Sequence, residues 1–111
     1  MDINDRIEQL EFQQELLYEN GALERYIYET HITRSQYNAI MKLMEHYRDK
    51  IDAHEAVDNA TFEAEIYEIV PERKGDYHFC EMITQLFAEA QRWEEVFPAL
   101  YGNMRKYGGS M

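Results

Sequence analysis

Residues 32–51 read ITRSQYNAIMKLMEHYRDKI, and this stretch decides the fold. Thr33 and Gln36 stand at capping-box spacing, where each side chain accepts a hydrogen bond from the other residue's backbone N–H. Ile32 and Tyr37 occupy the two positions that a hydrophobic staple clasps together. Downstream, Tyr37, Ile40, Met44, Tyr47 and Ile51 step by 3, 4, 3 and 4, with Met41 and Leu43 alongside. That period is helical and excludes a strand. A helix over 34–53 is therefore predicted, beginning where two local rules agree.

Towards the N-terminus, Leu23, Tyr26 and Ile27 share one side of a shorter helix over 23–30. Before it, 3–20 reads as a long helix capped by Asp2, with Gly21 taking the left-handed turn after its end. Ile3, Ile7, Leu10, Gln14 and Leu17 alternate steps of four and three, a coiled-coil-like seam. Phe12 and Leu16 widen the apolar side beyond that seam. A helix with two apolar sides is expected to lie between partners, within the chain or across chains. The same segment carries Asp2, Asp5, Glu8, Glu11, Glu15 and Glu19 against Arg6 alone.

Towards the C-terminus, Thr61 is expected to cap a short helix over 62–69, on which Phe62, Ile66 and Ile69 align. Pro71 pushes Val70 out of the helical region and stops it, and 72–75 reads as an exposed loop. Asp76 caps a helix over 77–90 with a wide face of Phe79, Cys80, Ile83, Leu86, Phe87 and Ala90; Glu81, Gln85 and Glu89 are placed opposite, towards water. A last helix over 92–107 stacks Trp93, Val96, Phe97, Leu100, Met104 and Tyr107. Glu94 and Glu95 at its start and Arg105 and Lys106 at its end suit the macrodipole. Pro98 is expected to kink or split it near Phe97. The expectation is all-α: a small multihelical bundle of five to six helices in one domain, 1–107, followed by a flexible tail, 108–111.

Composition agrees with helices. Five glycines and two prolines are few breakers for 111 residues, and hydrophobic residues make up 45%. The formal net charge of −11 repels phosphates and anionic lipid, which argues against direct binding to nucleic acid or membrane. It suits a basic partner, or it serves solubility, the commoner case. Cys80 is the only cysteine and has no intramolecular partner. With no secretory leader and no apolar run of membrane-spanning length, the expected location is cytoplasmic. Asn59-Ala60-Thr61 matches a glycosylation acceptor but carries no weight without secretion.

Chemistry is sparse. None of the four histidines, His31, His46, His54 and His78, belongs to the Glu-x-x-His pairs that build di-metal carboxylate sites. His78 and Glu81 share one helical turn, a spacing common by chance, and make the one metal-dependent candidate worth stating. His54 continues the stripe of the 34–53 helix, and His46 lies between Lys42 and Lys50 in water. Ser35 falls in a helical first turn and Ser110 in the tail. Cys80, between Phe79 and Glu81 on an apolar face, reads as a buried, inert thiol. Gly102-Asn-Met-Arg-Lys lacks the second glycine of a phosphate loop. Neither catalytic residues nor a cofactor or metal are therefore assigned. Met41 and Met44 beside Tyr37 and Tyr47 read as core before adaptable groove. Trp93, Phe97 and Tyr101 fit an interface anchor and a core cluster equally well.

Arg6-Ile7-Glu8-x-Leu10-Glu11 near the start, Thr61-Phe62 before a short helix, and Trp93-Glu94-Glu95-Val96-Phe97 near the end together resemble the YhaI family, small proteins of Bacillus and related bacteria with unknown function. Pro98 departs from it, since a continuous last helix is usual there. The resemblance implies a multihelical, oligomeric protein and brings no site residues. The expected function is that of a homo-oligomer, dimer or trimer, acting by protein–protein interaction without catalysis, with Ile3, Ile7, Leu10, Leu17, Trp93 and Phe97 at the interface. The alternatives are an acidic decoy for a basic, nucleic-acid-binding protein and a metal-dependent enzyme using His78 and Glu81.

Overall fold

Thr33 and Gln36 close on each other as their spacing requires. The Gln36 N–H donates to Thr33 Oγ1 at 3.1 Å, and the Thr33 N–H donates to Gln36 Oε1 at 3.0 Å. Ile32 and Tyr37 are both buried beside this cap. In the computed structural model, which describes residues 2–102, the cap opens α3 (Arg34–Asp52). Around it lie α1 (Ile3–Glu19), α2 (Ala22–Glu29), α4 (Asn59–Ile69), a single 3-10 turn (Pro71–Arg73), α5 (Tyr77–Glu89) and α6 (Val96–Tyr101). Among the described residues there is no strand. The fold is all-helical.

Gln9 donates through Nε2 to the Ile32 carbonyl at 3.3 Å, so α2 runs back along α1. Phe12 and Leu16 of α1 and Leu23 and Ile27 of α2 are buried in the core that these two helices share with α3 and α5. Aromatic rings tie the elements together. Phe12 meets Tyr37 at 5.9 Å, Tyr37 stacks on Phe87 at 6.2 Å, and Phe87 meets Trp93 edge-on at 5.2 Å. A second line joins Tyr47 to Phe62 at 5.1 Å, packing α4 onto α3. Two buried tyrosines fix α4 by their hydroxyls: Tyr47 donates to Glu65 at 2.5 Å and Tyr101 to Glu63 at 2.8 Å. The described body measures 49 × 26 × 25 Å, longer than it is wide.

Several local expectations are corrected. The helix before Pro71 starts at Asn59 and is capped by Asp58, whose carboxylate accepts both the Thr61 N–H at 2.7 Å and the Thr61 hydroxyl at 2.9 Å. An ionised acceptor beats a hydroxyl at a helix start, so Thr61 is held rather than capping. At the end of α1 the left-handed residue is Asn20 (φ 54°), one of the few side chains tolerated there, while Gly21 begins α2 with extended backbone. Glu81 is only 4% exposed, not turned to water. Its helix α5 packs against α2, α4 and α6, and the strip left to solvent runs through His78, Met82 and Glu89, so Glu81 falls on the covered side.

The last helix is the largest correction. No helix starts at Arg92; residues 90–95 form turns, with Gln91 and Trp93 at positive φ, and α6 begins at Val96. Pro98 is then the third residue of α6, inside the first turn, where backbone N–H groups have no intrahelical partner and a missing one costs nothing. It neither kinks nor splits the helix. Met104, Arg105, Lys106 and Tyr107, with the 108–111 tail, lie outside the described residues.

Three helices end in the same way. The residue after the C-cap is left-handed at His31, His54 and Gln91 (φ 60°, 61° and 62°). In each case the next N–H reaches back five residues: Ile32 to Ile27 O, Glu55 to Lys50 O, and Arg92 to Phe87 O. This is a Schellman ending, built where glycine is usual. His54 is thus an exposed helix terminator and does not extend the α3 stripe. Relief of left-handed strain at an L-residue outweighs the added unfolded-state freedom of glycine. His54→Gly is expected to raise stability by about 0.5–1 kcal/mol, read from urea unfolding; a lower midpoint would contradict this account of the ending.

Candidate interaction surface

The largest exposed apolar side chains are concentrated on α1. Ile3, Ile7, Leu10 and Leu17 are 71%, 48%, 64% and 51% exposed, and Tyr18 beside them is 89% exposed. On the same helix Phe12 and Leu16 are 3% and 4% exposed. At about 100° per residue, the buried pair lies roughly 160° around the helix from the midline of the exposed stripe. One face of α1 is therefore consumed by its own chain, and the other carries four large aliphatics into water.

Beside the Phe12–Tyr37 ring contact, the polar attachment of α1 to α3 is made by one α3 residue. Arg34 donates through Nε to Glu8 and through Nη1 and Nη2 to Glu15 at 2.9 and 2.6 Å, and its guanidinium lies 5.1 Å from the centre of the Phe12 ring. The hydrogen bond from Arg34 holds the Glu15 carboxyl below its ordinary range. These groups are partly exposed, so the clasp orients α1 more than it stabilises it. Open grooves flank it. One is lined by Asp5, Glu8, Gln9, Ser35 and Lys42, the other by Leu16, Glu24, Tyr37, Met41 and Arg92. Nothing in the sequence signalled Arg34, because its partners lie 19 and 26 residues away.

Trp93 and Phe97 stand apart from the α1 stripe. Both are half-buried against the core. Trp93 donates its indole N–H to Glu45 at 2.8 Å, and the Arg92 guanidinium sits 5.0 Å from its ring. Tyr101 is fully buried. Of the six interface candidates, the structure gathers Ile3, Ile7, Leu10 and Leu17 on one surface and sets the other two elsewhere.

The pair His78 and Glu81 is not brought together. His78 is exposed while Glu81, three residues on, is buried, so the pair does not present ligands to one point. Among the described residues no group of three metal-ligating side chains converges. Cys80 is fully buried, and burial pushes its thiol up to about 12. Folded protein is expected to resist thiol reagents at neutral pH and to label at Cys80 only on unfolding; prompt labelling of the native state would show the thiol to be reachable. No described helix is long and apolar enough to cross a membrane.

Comparison with known proteins adds no assignment. No family model, no curated protein and no solved structure matches this chain.

Proposed function

We propose that this chain is a non-catalytic interaction protein that works as a homo-oligomer, with the outer face of α1 as the contact between subunits. The observation that carries this is the exposed stripe of Ile3, Ile7, Leu10 and Leu17, diametrically placed to the buried Phe12 and Leu16. Fully covering an isoleucine or leucine contributes about 1.5–3 kcal/mol, so four on one helix are a strong drive to associate. The need is structural too. From Asp2 to Glu11 every residue but Gln9 is exposed, and a helix of that length without tertiary packing is marginal in water. A partner along the seam supplies the missing packing. The resemblance to the YhaI family, and with it a bacterial, cytoplasmic setting, belongs to the same proposal. Light scattering at micromolar concentration tests it: a multiple of 13.4 kDa is expected, and a monomer mass sinks the reading.

A second reading rests on the charge. The net −11 and the exposed Asp2, Asp5, Glu11 and Glu19 fit an acidic decoy that captures a basic, nucleic-acid-binding protein. Capture of such a protein should weaken steeply with salt; binding indifferent to ionic strength counts against it.

A further inference from the structure

Resting on the self-association reading above, we infer that the α1 face is covered by α1 of a second copy, in a parallel, in-register two-stranded coiled coil. The seam assigns the heptad. Ile3, Leu10 and Leu17 take d positions, and Ile7 and Gln14 take a positions. The flanking g positions are then Arg6, Gln13 and Asn20, and the e positions are Asn4, Glu11 and Tyr18. The remaining acids, Asp2, Asp5, Glu8, Glu15 and Glu19, fall on b, c and f, away from the seam. The strong negative charge of α1 therefore does not oppose a second copy at the contact itself.

Orientation follows from the flanks. Antiparallel strands set g against g and e against e. The g set contains no carboxylate and the e set no cation, so no antiparallel register pairs Arg6 or Glu11 with an opposite charge. Parallel strands in register set each g beside the e five residues on in the partner, which brings Arg6 to the partner's Glu11, twice per dimer by symmetry. Among the described residues neither Arg6 nor Glu11 forms an ion pair within its own chain. The same register sets Gln13 beside the partner's Tyr18, giving contact to a ring that is 89% exposed in the single chain. Gln14 meets the partner's Gln14 at an a layer, where a polar residue selects register at some cost in affinity. Steric fit is simple: Phe12 and Leu16 attach the body on the f and c side, so the two bodies lie outward of the pair.

Three measurements on the full chain test this. Ile3→Cys and Leu17→Cys, each alone under mild oxidation by glutathione disulfide, should form disulfide-linked dimers with themselves. Arg6→Glu and Glu11→Arg should each weaken the dimer by about tenfold, and mixing the two variants should restore parent affinity, because that heterodimer pairs opposite charges on both sides. Cross-linking only between Ile3→Cys and Leu17→Cys chains in a mixture, or no rescue on mixing, overturns the parallel register while leaving self-association standing. A monomer mass for the parent chain overturns both and returns the stripe to a different partner.

Discussion

Leu10→Asp is expected to convert the oligomer to a folded monomer. In the single chain Leu10 is 64% exposed and lies outside the core cluster and the side chains packed against it, so a carboxylate there stays hydrated. In the assembled seam it sits at the central d position, and an unpaired charge buried there costs about 3–5 kcal/mol. Two such groups in a dimer exceed what a seam of this length can offset, and the association constant falls by more than about a hundredfold. The matched control is Leu16→Asp. That residue is 4% exposed, so the same chemistry placed on the opposite face of the same helix unfolds or detaches α1 instead. Mass by light scattering and thermal melting separate the two outcomes. Melting should be compared at a concentration where the parent is also monomeric, because association itself raises the apparent Tm. Persistence of the oligomer in Leu10→Asp, with the parent clearly associated, would remove the outer face of α1 from the interface.

That α1 has two apolar sides was legible in the sequence; which of them its own chain covers was not. The seam positions and the pair Phe12 and Leu16 are separated by angle alone, and helical periodicity reports angle. The start of α3 was equally plain, because a capping box and a staple are local and reinforce each other. What stayed hidden depends on partners distant in the chain. Glu81 is placed in water by its position opposite Phe79 and Ile83, but the neighbours of α5 cover more than half of its circumference and leave only the strip of His78, Met82 and Glu89 outside, and no period tells how wide the covered side of a helix is. Pro98 looked like a helix breaker because the apolar spacing of Trp93, Val96 and Phe97 runs through it. The chain instead turns at Gln91 and Trp93, both left-handed without glycine, and restarts so that the proline falls in a first turn. Arg34, the clasp on α1, carries no sequence signature. Its role exists only once Glu8 and Glu15 are folded beside it.

The tyrosine content, nine in 111 residues, leads to the second large effect, cooperative unfolding in alkali. Burial raises the pKa of Tyr26, Tyr37, Tyr47, Tyr67 and Tyr101 above the ordinary value, and the carboxylates of Glu65 and Glu63 push Tyr47 and Tyr101 further up. The thiol of Cys80 is raised in the same interior. For each group the folded state holds its proton more tightly than the unfolded chain does. Their contribution to stability is therefore complete below the unfolded pKa, near 10 for tyrosine, and is lost as pH rises beyond it. A tenfold difference in proton affinity between the two states is worth about 1.4 kcal/mol, and a domain of this size is stable by only about 5–15 kcal/mol. Several buried phenols acting together suffice to unfold it. Far-ultraviolet circular dichroism against pH should show a steep loss of helix above pH ~10, with more than one proton released in the transition. The buried tyrosines should ionise within that transition and not before it. In Tyr101→Phe, which keeps the ring and removes the hydroxyl held by Glu63, the transition should become shallower by about one proton. Full tyrosinate absorbance in a chain that keeps its helices would show that these rings ionise in place, and would break the link between their burial and the alkaline limit of the fold.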